Sequence, residues 1–317
     1  MSKEKKASVA PVAPECTVRP DGIIQLAKHY DNPLELFVPV DTKDIPDVLG
    51  QVDHSLTFES KKAYEDALKK EEERLNVNVR KLAEAKKFLA VVFQGRDGAG
   101  KSGATIRISE ALDHDPKVFR SVPIGPPTED ERAHPPQWRF FRDDRMPAYG
   151  QVRVYDRSWA EEVLVVRVNK IKPEAVWQKA YAQNRGMEYM LEQEGGIVVK
   201  IWFDITKGEQ KARFEARAKD KPWKLSPSDG EARKKWKQYT KAANEMFFRT
   251  STDFAPWFIV ASEDKRYSRV HVLKIINEQL EEALGCQKVA NDKKGKDGPK
   301  LISKADKKAK KSKKDKK

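Results

Sequence analysis

The chain has few of the residues that build disulfide scaffolds or histidine-based metal sites. It contains 2 cysteines and 5 histidines among 317 residues, and the histidines show no metal-ligand spacing. The longest apolar runs are strand-sized, well below the roughly 18 to 20 residues of a membrane span. The opening residues, Met-Ser-Lys-Glu-Lys-Lys, lack the apolar stretch of a signal peptide. These absences argue against secreted disulfide-rich and membrane proteins, and we expect a soluble protein in the reducing cytoplasm.

Charge is abundant but unevenly distributed along the chain. The net charge is +14 at pH 7, and residues 288–317 contribute +10 of it through 14 lysines and 4 aspartates. With almost no apolar content, residues 286–317 are predicted to form a disordered tail. Such tails are often only solubilising; the alternative is attraction of a polyanion such as nucleic acid or polyphosphate. The tail alone does not indicate a nucleic-acid-binding domain, and we expect no such partner.

The most informative motif is a phosphate loop. Residues 95–102 read Gly-Arg-Asp-Gly-Ala-Gly-Lys-Ser, between an apolar run at 88–93 and a helical pattern beginning near residue 102. Such a loop turns backbone N–H groups toward phosphate oxygens at a helix N-terminus. Lys101 is placed to reach terminal phosphates, and Ser102 to hold Mg²⁺. The predicted phosphate-binding residues are Gly95, Arg96, Gly98, Ala99, Gly100, Lys101, Ser102 and Gly103.

Alternation of strand and helix patterns predicts an α/β fold with a parallel sheet and helices on both faces. Residues 1–20 are predicted to form an unstructured leader, and residues 21–86 an extended segment and a helix packing on the core. Residues 87–285 are predicted to form the phosphate-loop domain. A basic helical stretch at about 206–250 has the position of the mobile lid of mononucleotide kinases. The predicted strands are 88–94, 117–122, 151–155, 196–203 and 257–260.

Two aspartates and two arginines are further candidates for the site. Asp97 lies inside the loop and Asp156 ends a strand, so both are expected at the carboxyl edge of the sheet, where ligands bind. A carboxylate beside phosphates calls for a bridging cation, which predicts Mg²⁺ at Asp97, Asp156 and Ser102. The alternative for Asp156 is a helix N-cap. Arg96 and Arg157 suit a phosphate clamp, with surface ion pairs as the alternative.

Five ordered blocks give the chain a family resemblance. Residues 95–103, 155–159 (Tyr-Asp-Arg-Ser-Trp), 223–227, 249–257 and 262–269 resemble the second family of polyphosphate kinases, over roughly residues 60–283. The resemblance implies a thymidylate-kinase-like three-layer fold with a central parallel five-stranded sheet and a helical basic lid. It also implies Mg²⁺-dependent phosphoryl transfer between inorganic polyphosphate and a nucleotide. By motif, the implied catalytic residues are Asp97, Lys101, Asp156 and Arg157, and further phosphate-binding residues are Lys224, Lys265, Arg266 and Arg269.

The resemblance also bears on the acceptor and on rival functions. Residues 156–168 are most similar to the AMP-accepting subgroup, but Ala160 stands where a tyrosine is common, and Ser102 where a glycine usually follows the loop lysine. AMP, ADP, ATP and guanine nucleotides are the implied nucleotide substrates, and a homodimer or homotetramer is the implied assembly. Three alternatives stay open: an ATP-dependent nucleoside-monophosphate kinase, a nucleic-acid-binding phosphate-loop protein, and a catalytically silent nucleotide sensor.

Overall fold

The structure is a computed structural model, and it describes residues 12–37, 39–41, 43–220, 222–224, 227–286 and 301–307. The strands are β1 (Glu15–Val18), β2 (Ile24–Ala27), β3 (Leu56–Phe58), β4 (Phe88–Gly95), β5 (Phe119–Pro123), β6 (Val152–Asp156), β7 (Gly196–Asp204), β8 (Trp257–Ala261) and β9 (Leu301–Ser303). The α-helices are α1 (Lys61–Arg80), α2 (Lys101–Ala111), α3 (Glu129–Arg132), α4 (Val165–Val168), α5 (Glu174–Trp177), α6 (Lys179–Gln193), α7 (Lys207–Asp220), α8 (Pro227–Lys234), α9 (Trp236–Thr250) and α10 (Lys265–Ala283).

The main sheet has the strand order β1-β2-β8-β7-β4-β6-β5. Its five strands β4 to β8 are parallel and coincide with the five predicted from the sequence. β4 and β7 lie in the middle and are almost wholly buried, as expected of strands covered on both faces. Helices α1, α2 and α10 pack together, and α6 packs on α5, α9 and β7. The result is an α/β fold with helical layers around a mostly parallel sheet, as predicted.

The predicted count of five strands is wrong, because the sheet has seven. β1 and β2 form an antiparallel hairpin, and β2 pairs antiparallel with β8. The hairpin covers the edge that β8 would otherwise leave open, and Ile24 and Leu26 are buried there. The strand at residues 15–18 also corrects the predicted unstructured leader of residues 1–20, of which residues 1–11 lie outside the described part. A four-residue strand carries too little periodicity to be predicted before its partner is known.

The predicted disordered tail is also corrected in part. β9 pairs antiparallel with β3 in a separate two-stranded sheet, and Leu301 packs against the core. This short apolar Leu-Ile-Ser segment has a partner that only the tertiary fold supplies. Residues 287–300 and 308–317 lie outside the described residues.

The predicted lid region divides into two parts. α7 and α8 are largely exposed, whereas residues 242–250 of α9 are buried in the core. The predicted lid therefore excludes residues 242–250, and it stays a prediction for α7, α8 and the beginning of α9. Across the described residues, no helix combines the length and the apolar character needed to cross a bilayer.

Candidate active site

The phosphate loop has the strand–loop–helix geometry that the motif predicts. β4 ends at Gly95 and α2 begins at Lys101, with Gly100 as its N-cap in the left-handed region at φ 111°. Gly95 has φ 137°, and a Cβ at this position would lie 2.3 Å from the carbonyl oxygen of Phe203. A side chain at residue 95 would therefore push the loop off β7. The loop holds its shape through its neighbouring strand.

Lys101 is buried in the loop itself. Its Nζ lies 3.4 Å from the carbonyl oxygen of Gly95 and 3.3 Å from that of Arg96. No carboxylate in the described part of the chain forms an ion pair with it. Its charge is therefore available to a phosphate that enters the loop at the N-terminus of α2.

Strand pairing brings Asp156 and Arg157 to the loop. β6 runs parallel to β4, with Phe93 opposite Asp156. The backbone N–H of Arg157 donates to the carbonyl oxygen of Phe93 at 3.0 Å, and Arg157 adopts φ 69°, a left-handed conformation that costs a non-glycine residue energy. Its guanidinium lies 3.5 Å from Oδ1 of Asp97. Three of the four predicted catalytic residues, Asp97, Asp156 and Arg157, are thus assembled where β4 and β6 end.

The charge balance around Arg157 keeps its guanidinium protonated. Burial alone would lower its pKa, but Glu161, Asp97 and Asp156 together raise the pKa above its usual range. A fixed cation among carboxylates at the mouth of a phosphate loop is suited to bind an oxyanion. The predicted clamp role of Arg157 is consistent with this geometry and stays a prediction.

The donors for a divalent cation are oxygen atoms. Asp156 forms no side-chain hydrogen bond or ion pair with any described residue, so its oxygens are unengaged. Asp97 is shared with Arg157, and Ser102 is exposed in the first turn of α2. Within the described ranges, no group of three or more His, Cys, Asp or Glu side chains is arranged to hold a metal unaided. This donor set fits Mg²⁺, which binds through one or two carboxylates together with substrate phosphates.

A cleft opens beside the loop and encloses roughly 830 Å³ of free space, including the part open to solvent. One wall is formed by the loop, and the other walls by the segment after β6, by β7 and by the lid helices. The lining of the cleft combines apolar leucine, valine and tryptophan side chains with polar groups. The lining residues are Gln94, Gly95, Arg96, Asp97, Arg157, Glu161, Leu164, Val165, Asn169, Trp202, Gln210, Glu231, Ala232, Trp236 and Tyr239.

Arg96 makes internal contacts that the sequence did not predict. Its side chain is buried, with Nε 3.3 Å from Oδ1 of Asp204 and a 2.8 Å hydrogen bond to Oγ1 of Thr240. The guanidinium lies 4.0 Å from the ring centroid of Trp236. Burial lowers its pKa, although the Asp204 carboxylate opposes the shift. These contacts tie the loop to α9, and Arg96 also lines the cleft, so its predicted clamp role stays a prediction.

Several cations lie close to the loop and to the first turn of α2. A Cβ on Gly103 would lie 3.5 Å from the Arg269 guanidinium, and one on Gly98 would lie 3.8 Å from that of Arg217. Burial lowers the pKa of Lys265, and Arg213 and Arg269 lower it further. Neither Lys265 nor Arg269 is ion-paired with a carboxylate in the part of the chain that the structure describes. The cluster therefore carries a local excess of positive charge.

Of the other two predicted phosphate-binding residues, the structure describes the side chain of Arg266 alone, and it contacts α1. Arg266 has its guanidinium 5.7 Å from the ring centroid of Tyr64 on α1. Lys224 lies in a 3₁₀ turn, Pro222–Lys224, and its side chain is outside the described part of the structure. The structure thus distinguishes Lys265 and Arg269 from Arg266, although all three stand in one sequence block.

A sequence profile of the family described as Polyphosphate kinase 2 matches residues 58–288. The chain belongs to the polyphosphate kinase 2 family. The polyphosphate:AMP phosphotransferase of Pseudomonas syringae pv. tomato is 43% identical over 243 residues, which are 76% of this chain and 48% of that protein. The ADP-polyphosphate phosphotransferase 2 of Rhizobium meliloti is 38% identical over 198 residues, 62% of this chain and 63% of that protein. The chain spans about half the length of the polyphosphate:AMP phosphotransferases it matches.

Solved structures agree with this family membership. A putative polyphosphate kinase 2 from Pseudomonas aeruginosa is 41% identical, with a TM-score of 0.72 over 77% of this chain and 53% of that one. Polyphosphate Kinase 2 from Arthrobacter aurescens is 28% identical, with a TM-score of 0.66 over 81% of this chain and 91% of that one. The predicted polyphosphate kinase 2 resemblance is therefore confirmed.

Within this polyphosphate kinase 2 site, Glu161 is a residue that sequence reasoning missed. It lies in the cleft beside Arg157 in a 3₁₀ turn, Trp159–Glu162. Burial raises the pKa of its carboxyl, while Arg157 and Gln94 oppose the shift. The sequence predicted a regular helix after Asp156. Residue type alone does not tell which of the two adjacent glutamates, Glu161 or Glu162, lines the cleft. Gln210 was missed as well, and its Nε2 donates to the carbonyl oxygen of Asp97 at 3.0 Å.

Proposed function

We propose that this chain transfers a phosphoryl group between inorganic polyphosphate and a nucleotide, with AMP as the favoured acceptor and ADP or GDP as further acceptors. The observation that carries the proposal is that two different surfaces meet at one phosphate loop. The cleft reaches residues 95–97, and the unpaired cations reach Gly98 and Gly103. A mixed apolar and polar cleft suits a nucleotide, whereas a row of unpaired cations suits a polyanion.

The names of the relatives support the choice of substrates. Proteins 40–43% identical to this chain are called polyphosphate:AMP phosphotransferases, and others are called ADP- or GDP-polyphosphate phosphotransferases. We place AMP first because the relatives with the higher identity carry that name. Ala160, in place of the common tyrosine, is a buried residue of the 3₁₀ turn and does not itself line the cleft.

Each charged residue in the proposed mechanism acts by position. Lys101 binds the terminal phosphates inside the loop, and Arg157 binds oxygens of the transferring group from the cleft side. Asp97 holds the Arg157 guanidinium in place until substrate arrives. Asp156, Asp97 and Ser102 would hold Mg²⁺, which supplies charge neutralisation between phosphate oxygens when bound. Phosphoryl transfer needs little more than such alignment and charge stabilisation.

The lid helices would exclude water from this reaction. Arg213 of α7 donates to the carbonyl oxygens of Gly98 at 3.0 Å, Ser262 at 2.6 Å and Glu263 at 3.1 Å. These bonds hold the base of the lid against the loop. Exclusion of water protects the transferring group from hydrolysis and strengthens the charge interactions inside the site.

A direct assay tests the proposal. The purified chain is supplied with AMP, Mg²⁺ and polyphosphate in the absence of ATP, and ADP is measured. We expect ADP to form, and to be lost in the Lys101→Ala variant. Formation of ADP only when ATP is the donor would identify an ATP-dependent nucleoside-monophosphate kinase instead. Binding of nucleotide without transfer from either donor would identify a sensor.

Location and assembly belong to the same proposal. A cytoplasmic enzyme follows from the paucity of cysteine and from its nucleotide substrates, and cell fractionation tests it. A homodimer or homotetramer follows from the family resemblance, and light scattering of the purified chain measures it. A monomer in solution would contradict the proposed assembly.

A further inference from the structure

The turn that carries Arg157 is held in a strained conformation. Arg157 adopts φ 69°, and a non-glycine residue keeps such a left-handed conformation only where the surrounding structure enforces it. On the N-terminal side, the backbone N–H of Arg157 donates to the carbonyl oxygen of Phe93 on β4 at 3.0 Å. The contacts of the two residues that follow, Ser158 and Trp159, supply the restraint on the other side.

Ser158 bonds the turn to the strand that leads into the phosphate loop. Its Oγ accepts a 3.1 Å hydrogen bond from Nε2 of Gln94, which lies next to the last residue of β4. The same oxygen accepts from the backbone N–H of Ala160 at 3.2 Å, where Ser158 is the N-cap of the 3₁₀ turn. The Ser158 and Gln94 side chains are both buried. The position of the turn relative to β4 is therefore fixed by side-chain as well as backbone bonds.

Trp159 connects the turn to a pair of charges inside the core. Its indole N–H donates to Oε1 of Glu188 on α6 at 2.7 Å. Oε2 of the same carboxylate accepts from Nζ of Lys200 on β7 at 2.6 Å, and Lys200 also donates to the carbonyl oxygen of Thr250 at 2.6 Å. The side chains of Glu188 and Lys200 are 1% and 0% exposed. Both oxygens of this carboxylate are thus engaged, and the indole has one fixed acceptor.

Stability alone is a poor explanation for this buried pair. Taking two ions out of water costs free energy that their attraction offsets only in part, and apolar residues of similar volume often stabilise a core as well or better. What the pair supplies is direction, because a carboxylate held by Lys200 receives the indole N–H in one orientation. Trp159 is buried and does not line the cleft, whereas Arg157 does. The pair therefore reaches the cleft through the turn.

We propose that Trp159 and Glu188 are positioning residues for Arg157, and that the Glu188–Lys200 pair holds the strained turn in the orientation that places the guanidinium at the phosphate loop. The proposal rests on the proposed function, in which Arg157 binds oxygens of the transferring group. A misplacement of about 1 Å at such a group can lower a rate on the order of 100-fold. Bonds behind the cleft are therefore enough to control turnover.

Removal of a single indole N–H tests this role. Trp159→Phe keeps an aromatic ring in the core, and we expect its kcat with AMP and polyphosphate to fall roughly 10- to 100-fold. The KM for AMP should change less than about twofold, since the loss lies in the transition state. Trp257→Phe is the matched control, because that similarly buried indole N–H donates at 2.9 Å to the Thr250 hydroxyl. An unchanged kcat in Trp159→Phe, or an equal loss in the control, would contradict the positioning role.

Two double variants separate the hydrogen-bond acceptor from the charge. In a Lys200→Met background no buried ammonium group is left without its partner, and Glu188→Gln keeps an oxygen for the indole whereas Glu188→Met does not. We expect Glu188→Gln to keep kcat within about 3-fold of the unsubstituted chain and Glu188→Met to lower it roughly 10-fold. Urea unfolding establishes that each double variant is folded before the rates are compared. Equal rates in the two would refute the role of Glu188 as an acceptor.

A kinetic double-mutant cycle shows whether the effect passes through Arg157. In an Arg157→Ala background, Trp159→Phe should lower kcat no further, because the guanidinium that Trp159 positions is gone. Independent structural effects would multiply instead. A multiplied loss of kcat would therefore overturn the proposal.

The outcomes also separate this inference from the proposed function. If the unsubstituted chain transfers phosphoryl groups from polyphosphate and Trp159→Phe keeps its kcat, the positioning role is refuted and the proposed function stands. If the chain uses ATP alone as donor, the proposed function fails, and the same cycle measured with ATP decides the inference. If the chain transfers from neither donor, both fail.

Discussion

The guanidinium of Arg96 stacks 4.0 Å from the ring centroid of Trp236. Arg96 belongs to the phosphate loop and Trp236 is the first residue of α9, at the base of the lid. The contact therefore joins the proposed phosphate-binding loop to the proposed lid. The buried carboxylate of Asp204 also contacts this guanidinium, with Oδ1 3.3 Å from Nε of Arg96.

Breaking this contact should uncouple the lid from the loop. The planar guanidinium of arginine can stack on an aromatic ring and donate hydrogen bonds at the same time, whereas the ammonium group of lysine cannot. Arg96→Lys should therefore lower kcat/KM about 10-fold. A double-mutant cycle with Trp236→Leu should give a coupling energy of about 1 kcal/mol in the free energy of unfolding. The exposed Trp223 supplies the control, since Arg96→Lys and Trp223→Leu should be additive. Additive effects of Arg96 and Trp236 would refute the coupling.

Removal of the loop lysine should abolish most turnover without unfolding the chain. We expect Lys101→Ala to lower kcat roughly 10²- to 10³-fold, since a preorganised positive charge at the transferring phosphoryl group is lost. Asp156→Asn should lower kcat similarly and raise the Mg²⁺ concentration needed for half-maximal rate. The exposed Lys117 provides a matched control, and Lys117→Ala should leave kcat unchanged. A normal rate in both site variants would mean that the chemistry lies elsewhere.

Two arginines one turn apart on α10 should differ in their effect on polyphosphate. Arg269 lies against Gly103 at the start of α2, whereas Arg266 lies over Tyr64. We expect Arg269→Ala to raise the KM for polyphosphate about 10-fold and to reduce its salt dependence, because one phosphate contact is lost. Arg266→Ala should change this KM less than twofold. The measurement is the KM at two salt concentrations, and equal effects of the two variants would contradict the proposed path of the polymer.

Stability should fall when the pH is lowered below about 6.5, because of His271. Burial lowers the pKa of this histidine to about 4 in the folded chain. Between pH 6.5 and 4 the unfolded chain takes up a proton that the folded chain excludes, so the free energy of unfolding decreases as pH falls. The loss attributable to His271 should reach about 3 kcal/mol at the acid end of this range.

Urea unfolding at several pH values measures this slope. His271→Gln should lower stability at neutral pH, since the side chain is buried against Phe58 and Tyr267, but it should flatten the decline between pH 6.5 and 4. The slope of the free energy of unfolding against pH is compared between the variant and the unsubstituted chain. Contributions from buried Glu188 and from other groups present in both proteins cancel in this comparison. An unchanged slope in the variant would show that His271 does not control acid stability.

Local sequence determined a large part of this protein. The phosphate loop could be predicted because its glycines, lysine and flanking strand follow one another along the chain, and their spacing alone specifies a helix N-terminus that accepts phosphate. The parallel strands β4, β7 and β8 were predictable for the same reason, since each is a largely apolar run, and β6 was predictable from its alternating residue types. The position of Asp156 and Arg157 beside the phosphate loop was predictable because the carboxyl ends of parallel strands meet at one edge of the sheet.

Only the tertiary structure decided the remaining features, because each depends on a partner distant in sequence. The β1–β2 hairpin joins the sheet through β8, more than 200 residues away, and β9 pairs with β3 across a similar separation. The contacts of Arg96 with Asp204 and Trp236 could not be predicted, since its direction is set by the elements that pack around the loop. The local sequence of a short strand or of a single arginine does not indicate which distant residues it will contact. Burial and charge pairing in the folded chain determine those contacts.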